Sequence, residues 1–428
     1  MWKLKLTLLT LCIILLSPCY LASSGQVFAD NSNNDWSMYH HDLTHTGVST
    51  SINPPISANL LWNYTTGTVI WASPAVVNGY VYIPSDDGSM YCLDALSGAK
   101  IWSYSVRSPI GSSPAVSNGY VYFGDYRGVF YCLDALSGEF VWSYATEATV
   151  ESSPAVSDGY VFVGSWDNNV YCFDALTGEK VWNYSTGGLV ESSPAVSNGF
   201  VYVGSVDGNV YCLDALSGAK IWSYATGNVI QSSAAVVGNR VYIGSEDNNL
   251  YCLNGATGEK IWNFAAHGWI ESSPAVADGY VYIGAWDGDN NVYCLDASTG
   301  EKIWNFTAQG SVNSSPAIAA DYVYVGSWDG TFYCLNKSTG EKVWSYVTGN
   351  HINSSPAVVN NIVYVGSWDH SVYAFGAPSS ISTPSQTTTP SPTVPEFTIC
   401  ITITFSALLV STIVIFGLVS KRRGINKN

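Results

Sequence analysis

Seven cysteines, Cys92, Cys132, Cys172, Cys212, Cys252, Cys294 and Cys334, are the most reactive side chains of the chain, and they recur at a near-constant interval. Thiols can form disulfides, hold a soft metal or act as nucleophiles. Here no C-x-x-C or vicinal pair occurs. One thiol per repeat puts neighbours roughly 10 Å apart, beyond the ~7 Å Cα limit of a disulfide. They read as small buried hydrophobes. A second series carries oxygen. Trp71, Gly111, Glu151, Glu191, Gln231, Glu271, Asn313 and Asn353 each stand just before a Ser-Ser-Pro-Ala-Val-like pattern. Such a ring suits a hard cation such as Ca²⁺, with solvated polar lining as the plain alternative. Two carboxylates flanking a bond at a defined spacing would suit glycoside hydrolysis. Glu151 and Glu191, however, are equivalent residues of adjacent repeats, as repetition alone would produce. No Ser-His-Asp pattern appears. A third series is aromatic: Trp166, Trp286, Trp328 and Trp368 hold one hairpin position with Tyr126, and Trp71 and Trp269 lie nearby. Aromatic faces beside acids and amides serve sugar or cation recognition, or simply pack hairpin on hairpin. His40, His41 and His45 form a further candidate metal set near the start of the chain.

The elements that must position these residues come from an internal repeat. Ser112–Val116, Ser152–Val156, Ser192–Val196, Ser272–Val276 and Ser354–Val358 share one pattern, and Ala72–Val76, Ser232–Val236 and Ser314–Ile318 are looser copies. The step is 40 residues, stretched once to 42. Periods of this size mark propellers, solenoids or arrays. Each unit holds four period-two runs rich in β-branched and aromatic residues, separated by Asn-Gly, Asp-Gly or Asp-Asn turns. No stretch from Pro54 to Gly376 sustains helical periodicity. Four strands per unit is one propeller blade. The count of fourth strands begins at Trp62, ahead of the first Ser-Pro-Ala-Val, and the last unit ends at Phe375 without one. The segment 60–64 is therefore expected to complete the last blade and close an eight-bladed ring with no free edge.

Cys92-Leu93-Asp94-Ala95-Leu96-Ser97-Gly98-Ala99-Lys100-Ile101-Trp102 has the spacing A-x-D-x-x-T-G-x-x-x-W, and the pattern recurs with Trp142, Trp182, Trp222, Trp262, Trp304 and Trp344. It resembles the tryptophan-docking motif of the propellers named after pyrroloquinoline quinone dehydrogenases, and is similar to the bacterial outer-membrane assembly propeller, which has no quinone. The resemblance spans roughly residues 35 to 376 and extends to a lead-in, Asp35-Trp36-Ser37-Met38-Tyr39-His40-His41-Asp42. It departs by placing Cys where Ala is usual. Physically, the Asp caps the Ser/Thr-Gly turn. The indole is expected to lie across that turn and a small residue earlier in the motif, holding blades together without chemistry.

Lys3 and Lys5 ahead of an apolar run predict a signal peptide within 1–29. A lead-in (30–57) and the propeller (58–377) follow. The Pro/Ser/Thr-rich segment 378–396 reads as an extended stalk. Residues 397–420 form an apolar run long enough to span a bilayer as a helix, with a basic tail (421–428) expected in the cytoplasm and the propeller outside. Pro395-Glu396-Phe397 with the span and basic cluster also resembles the PEF-type sorting tail of archaeal surface proteins.

Strand polarity sorts the loops into two faces. The upper face, with the two-to-three hairpins and the links between blades, collects most acids, from Asp86 and Asp87 to Asp369; the lower face receives Lys100, Lys180, Lys220, Lys260, Lys302 and Lys342. The formal charge of −16 is thus largely one-sided and repels nucleic acid while attracting cations or basic partners. An anionic tricarboxylate quinone finds few cations on that face, Arg107 and Arg127 being its main ones. The resulting expectation is a non-enzymatic, surface-anchored propeller without a cofactor, binding a protein, glycan or cationic ligand on its upper face. A quinoprotein dehydrogenase and a carbohydrate-binding or carbohydrate-active surface protein are the alternatives.

Overall fold

The computed structural model describes residues 35–377. The signal peptide, stalk, membrane helix and basic tail expected from the sequence lie outside the described residues.

Eight four-stranded antiparallel sheets are arranged as blades. Blade 1 comprises Ala75–Val77, Tyr80–Ser85, Ser89–Asp94 and Lys100–Ser105, and blades 2 to 7 repeat this order. Blade 8 has only Ala357–Val359, Ile362–Gly366 and Ser371–Gly376 from the end of the chain. Its fourth strand is Leu60–Thr65, which pairs antiparallel with Ser371–Gly376 as the sequence predicts. The first turn is tight in blades 1 to 4, 6 and 8, where both central residues take positive φ: Asn118 at 51° and Gly119 at 82° give the primed geometry that matches strand twist. Ahead of each docking tryptophan a bulge shifts the register, as between Cys92↔Trp102 and Leu93↔Lys100. The bulge re-aims the strand so that the indole leaves the sheet surface.

The cores lie between blades. Phe130, Cys132 and Trp142 of blade 2 pack on Val161, Val163 and Phe173 of blade 3, and the same register recurs around the ring. All seven described cysteines are reduced and buried in these layers. Burial pushes the Cys132 thiol up to about 12.

Each docking indole reaches forward by one blade, a correction to the expectation that it covers its own turn. Trp62 Nε1 donates to Ala95 O (3.0 Å), Trp102 to Ala135 O (3.0 Å), Trp142 to Ala175 O (3.1 Å) and Trp182 to Ala215 O (3.0 Å). Trp222, Trp262 and Trp304 repeat the bond to Gly255, Ala297 and Lys337. The indole then lies on the next blade's glycine: a Cβ on Gly138 would sit 2.6 Å from Trp102. Blade 8 has no such turn, because two ends of the chain meet there. Trp344 instead donates to Pro55 O (3.0 Å) of the lead-in.

A circle of serines closes the ring at its centre. The N–H of Ser73 donates to Ser113 Oγ (2.9 Å), Ser113 to Ser153 (3.0 Å), Ser153 to Ser193 (3.0 Å) and Ser193 to Ser233 (2.8 Å). The series continues from Ser233 to Ser273 (2.9 Å), Ser273 to Ser315 (2.8 Å), Ser315 to Ser355 (3.0 Å) and Ser355 back to Ser73 (2.8 Å). These short, buried inner strands thus satisfy backbone donors that their own sheets leave unpaired.

Below that circle the lead-in seals the channel. Trp36 pairs with Val76 of blade 1, and the carbonyls of Ser37, Leu43, Thr44, Thr46 and Gly47 accept from Val116, Val196, Val236, Val276 and Ile318. Ser49 Oγ donates to Val358 O (2.6 Å). Val48–Ser49 adds a parallel fifth strand to blade 7. Tyr39 meets Ser273 and Ser315 Oγ (3.0 and 2.8 Å) from beneath. The chain runs from Glu151 through Ser153 into the inner strand Ala155–Ser157, so the ring of Glu151 and its equivalents lies above the serines and the strap below them.

Candidate functional site

The sealed lower end leaves a funnel that opens on the upper face. Its lining begins with the hairpin acids, most of which are already engaged. Asp87 accepts the Gly67 N–H (2.7 Å), the Ser89 N–H (2.9 Å) and the Tyr91 hydroxyl (2.7 Å). Asp207 does the same with Gly187, Asn209 and Tyr211, and Asp369 with Gly349, Ser371 and Tyr373. Asp167, Asp247, Asp289 and Asp329 accept equivalent link and tyrosine bonds. These carboxylates clip each hairpin to the incoming link.

A smaller acidic set remains: Asp86, Glu151, Glu191, Glu246 and Glu271. Burial, then repulsion from Glu191 and Asp86, pushes Glu151 up to about 7. Glu271 rises to about 8 through burial and the charges of Glu246, Glu191 and Asp287, against a hydrogen bond from Asn313 Nδ2 (2.9 Å). Asp86 rises to about 6 through burial and Asp87. Glu191 and Glu246 are raised by burial, with repulsion from Glu246 adding to the shift of Glu191. The ion pairs among the described residues, His41–Asp42 and Lys337–Asp278, lie elsewhere. The funnel therefore holds an arc of mutually repelling carboxylates on blades 1 to 6 that lacks a compensating cation. Tyr126 belongs to this arc: its ring fills the space left by Gly111, where a Cβ would meet it at 2.7 Å. Burial and then the charges of Glu151, Asp86 and Glu191 raise its pKa.

The other side of the mouth is aromatic. Trp269 contacts Trp286 (5.7 Å between centroids), Trp286 contacts Trp328 (5.0 Å), Trp328 contacts Trp368 (5.6 Å) and Trp368 contacts Trp71 (4.2 Å). His351 stacks on Trp328 at 5.0 Å and meets Trp368 edge-on at 5.1 Å. This ladder crosses blades 6, 7, 8 and 1. Trp328 Nε1 donates to Asn353 Oδ1.

Each residue expected from the sequence can now be placed. Trp71, Trp286, Trp328 and Trp368 come together in the ladder, which Trp269 extends. Glu151, Glu191 and Glu271 come together in the arc. Asn313 and Asn353 are tied to Glu271 and Trp328. Gln231 lies on the same rim, half-buried. Trp166 stands apart from the ladder, with no ring contact among the described residues, and its Nε1 is buried without a partner. The lead-in histidines are engaged structurally: the His40 ring nitrogens face the His45 and Pro316 carbonyls (2.8 and 2.9 Å), and His41 Nδ1 faces Asp42 (3.2 Å). Among the described residues, no group of three or more His, Cys, Asp or Glu is close enough to hold a metal ion.

Sequence reasoning missed the serine circle, although the Ser-Ser of every repeat was its signal. The lower face carries apolar side chains beside its lysines. Leu96, Leu136, Leu176 and Leu216 are exposed there on blades 1 to 4, Leu96 and Leu216 at 70%.

A family model described as outer membrane protein assembly factor BamB matches four overlapping stretches, residues 46–152, 127–232, 206–305 and 288–380. The chain belongs to the BamB family. No curated protein sequence matches it. Among solved structures, BamB from Moraxella catarrhalis is 20% identical, with a TM-score of 0.65 over 74% of this chain and 99% of that one. The computationally designed Ika8 protein is 19% identical, with a TM-score of 0.67 over 76% and 99%. Quinohemoprotein alcohol dehydrogenase from Comamonas testosteroni is 17% identical, with a TM-score of 0.71 over 81% of each chain. At these identities the likeness is one of fold. The BamB-type repeat and the quinoprotein propeller thus share an architecture, and the distinction between them falls to the funnel.

Proposed function

We propose that this BamB-family propeller is a non-enzymatic binding or scaffold protein held at the cell surface, with the upper funnel as its working face. The observation that carries the reading is the funnel's charge: five carboxylates lie at the mouth without a cation to compensate them. An anionic quinone bound there would add negative charge to an arc whose members already repel one another. Arg107 and Arg127 do not relieve this, because both are exposed and an Arg127 guanidinium N–H is directed at the Arg107 carbonyl. The blind channel favours a cup that receives one group over a conduit. The apolar stretch 397–420 supplies the anchor in this reading, and the PEF-like tail offers a sorted alternative to it.

The test is site-specific photocrosslinking on intact cells. Crosslinkers in place of Trp166 or Glu246 on the upper face should capture partner, whereas those replacing Leu136 or Leu176 on the lower face should not. Capture confined to the lower leucines would overturn the assignment. Quinone-dependent dye reduction with alcohols or sugars would promote the dehydrogenase reading.

A further inference from the structure

The funnel mouth is built from two unlike halves that meet at both ends: Glu271 adjoins Trp269 on blade 6, and Asp86 shares blade 1 with Trp71. A neutral sugar could stack on the indoles but would leave the acidic half repelling itself. A point cation would find no cluster of three or more His, Cys, Asp or Glu among the described residues, and would leave the indoles uncovered. What satisfies both halves is a positive group on an apolar stem. Resting on the reading of the upper face as the working surface, we infer that the mouth takes an alkylammonium or guanidinium group, carried by a polyamine or by a Lys or Arg side chain of a basic peptide. The charge lies toward Glu151, Glu191 and Glu271, and the stem lies along Trp328, Trp368 and Trp71.

Three observations support the assignment independently of the acidic charge. The tryptophans form one continuous wall rather than scattered pairs, which provides the aromatic surface that cations and their methylenes use. Two polar atoms of the mouth are buried without partners, Asp86 Oδ1 on the acidic side and Trp368 Nε1 on the aromatic side. Buried polar atoms are ordinarily paired, so the unpartnered acceptor Asp86 Oδ1 is a place that an incoming N–H would complete. The strap and serine circle also close the channel beneath, so the occupant enters from one side and stops.

A cation must also compete with protons. Glu151 faces Glu191, Asp86 and Tyr126, whereas Glu271 faces Glu246, Glu191, Asp287 and the Asn313 amide. Their raised pKa values mean that part of the arc is protonated near neutrality, and binding should strengthen as pH rises from about 5.5 to about 8.

The experiment is a titration of the full-length chain followed by tryptophan fluorescence and calorimetry at pH 8 and low salt. The probes are spermidine, a decalysine peptide, calcium chloride and cellobiose. Saturable binding of spermidine or decalysine is expected, and comparing the two separates a small amine from a peptide source. Affinity should fall at least about tenfold in the Glu151→Gln/Glu191→Gln variant and in the Trp328→Ala/Trp368→Ala variant. It should fall again on acidification to pH 5.5. The Glu→Gln pair relieves repulsion and should remain folded, which keeps the test decisive even if the double Trp variant unfolds. Failure of both amines to saturate would overturn the proposal, as would binding unchanged in the Glu→Gln variant. Saturation by calcium or cellobiose alone would do the same. If the amines fail while upper-face crosslinks persist, the ligand class falls and the working face stands.

Discussion

Replacing Glu151 with Gln should stabilise this protein, and should do so only above a defined pH. The glutamate's ordinary pKa is 4.5, and burial together with Glu191 and Asp86 raises it to about 7 in the fold. A carboxyl whose folded value exceeds its unfolded value binds its proton more tightly in the native state. Its stabilising contribution is complete below about 4.5, declines as pH rises, and is gone above about 7. At 1.36 kcal/mol for each tenfold change in proton affinity, the gap amounts to about 3 kcal/mol. Water entering the half-open mouth should reduce the observed figure, so a gain of about 1–3 kcal/mol for Glu151→Gln at pH 8 is expected. Denaturant melts of wild type and variant at pH 4.5, 6, 7 and 8.5 in low salt measure it directly. The two curves should coincide at pH 4.5 and separate progressively to pH 8. Equal stability at pH 8.5, or a less stable variant, would refute the reading of an uncompensated arc.

Gly138→Ala combines a clash with Trp102 at 2.6 Å and a φ of 72° that alanine disfavours; a loss of about 2 kcal/mol or more is expected in thermal melts. The seven repeat cysteines should resist Ellman's reagent in the native protein and react together on unfolding, because burial hides them and pushes thiols such as Cys172 up to about 12. Deleting Leu60–Thr65 should expose the edge of Ser371–Gly376 and lower the melting temperature sharply; a melt identical to wild type would exclude the strand as the ring's closure.

The fold was legible because its determinants are local and repeated. Asn-Gly turns, alternating apolar residues and the early Trp62 each reveal a strand or its order without knowledge of distant contacts. The forward reach of Trp102 onto Gly138 was not legible, because either glycine satisfies the spacing and only the bulge at Ile101 determines which one the indole meets. The candidate site was half legible. The order Trp71, Glu151, Glu191, Gln231, Glu271, Asn313, Asn353 already placed these residues on one rim. Its division into an aromatic and an acidic side depends on which hairpin residues lean toward the mouth. Trp166 shares the hairpin position of Trp368 but makes no ring contact among the described residues, although Tyr126 holds the equivalent position of blade 2. A hairpin aspartate is legible as a turn former, but its bonds to a tyrosine 4 residues on and to a link amide about 20 residues back are not, and they commit the carboxylate to the scaffold.

The strap has a consequence in time. Trp36 to Ser49 is made before any blade, yet its partners are distributed along the whole chain, and the bond from Ser49 to Val358 spans 309 residues. A chain released amino end first would therefore leave parts of the strap unpaired until the blades that receive them are made, Leu43 until blade 4 supplies the Val196 amide and Ser49 until blade 8 supplies the Val358 carbonyl. Contacts of such separation form slowly. During that interval the segment is a natural handle for a chaperone and a target for proteases, and its disappearance from solvent signals that the protein has finished folding.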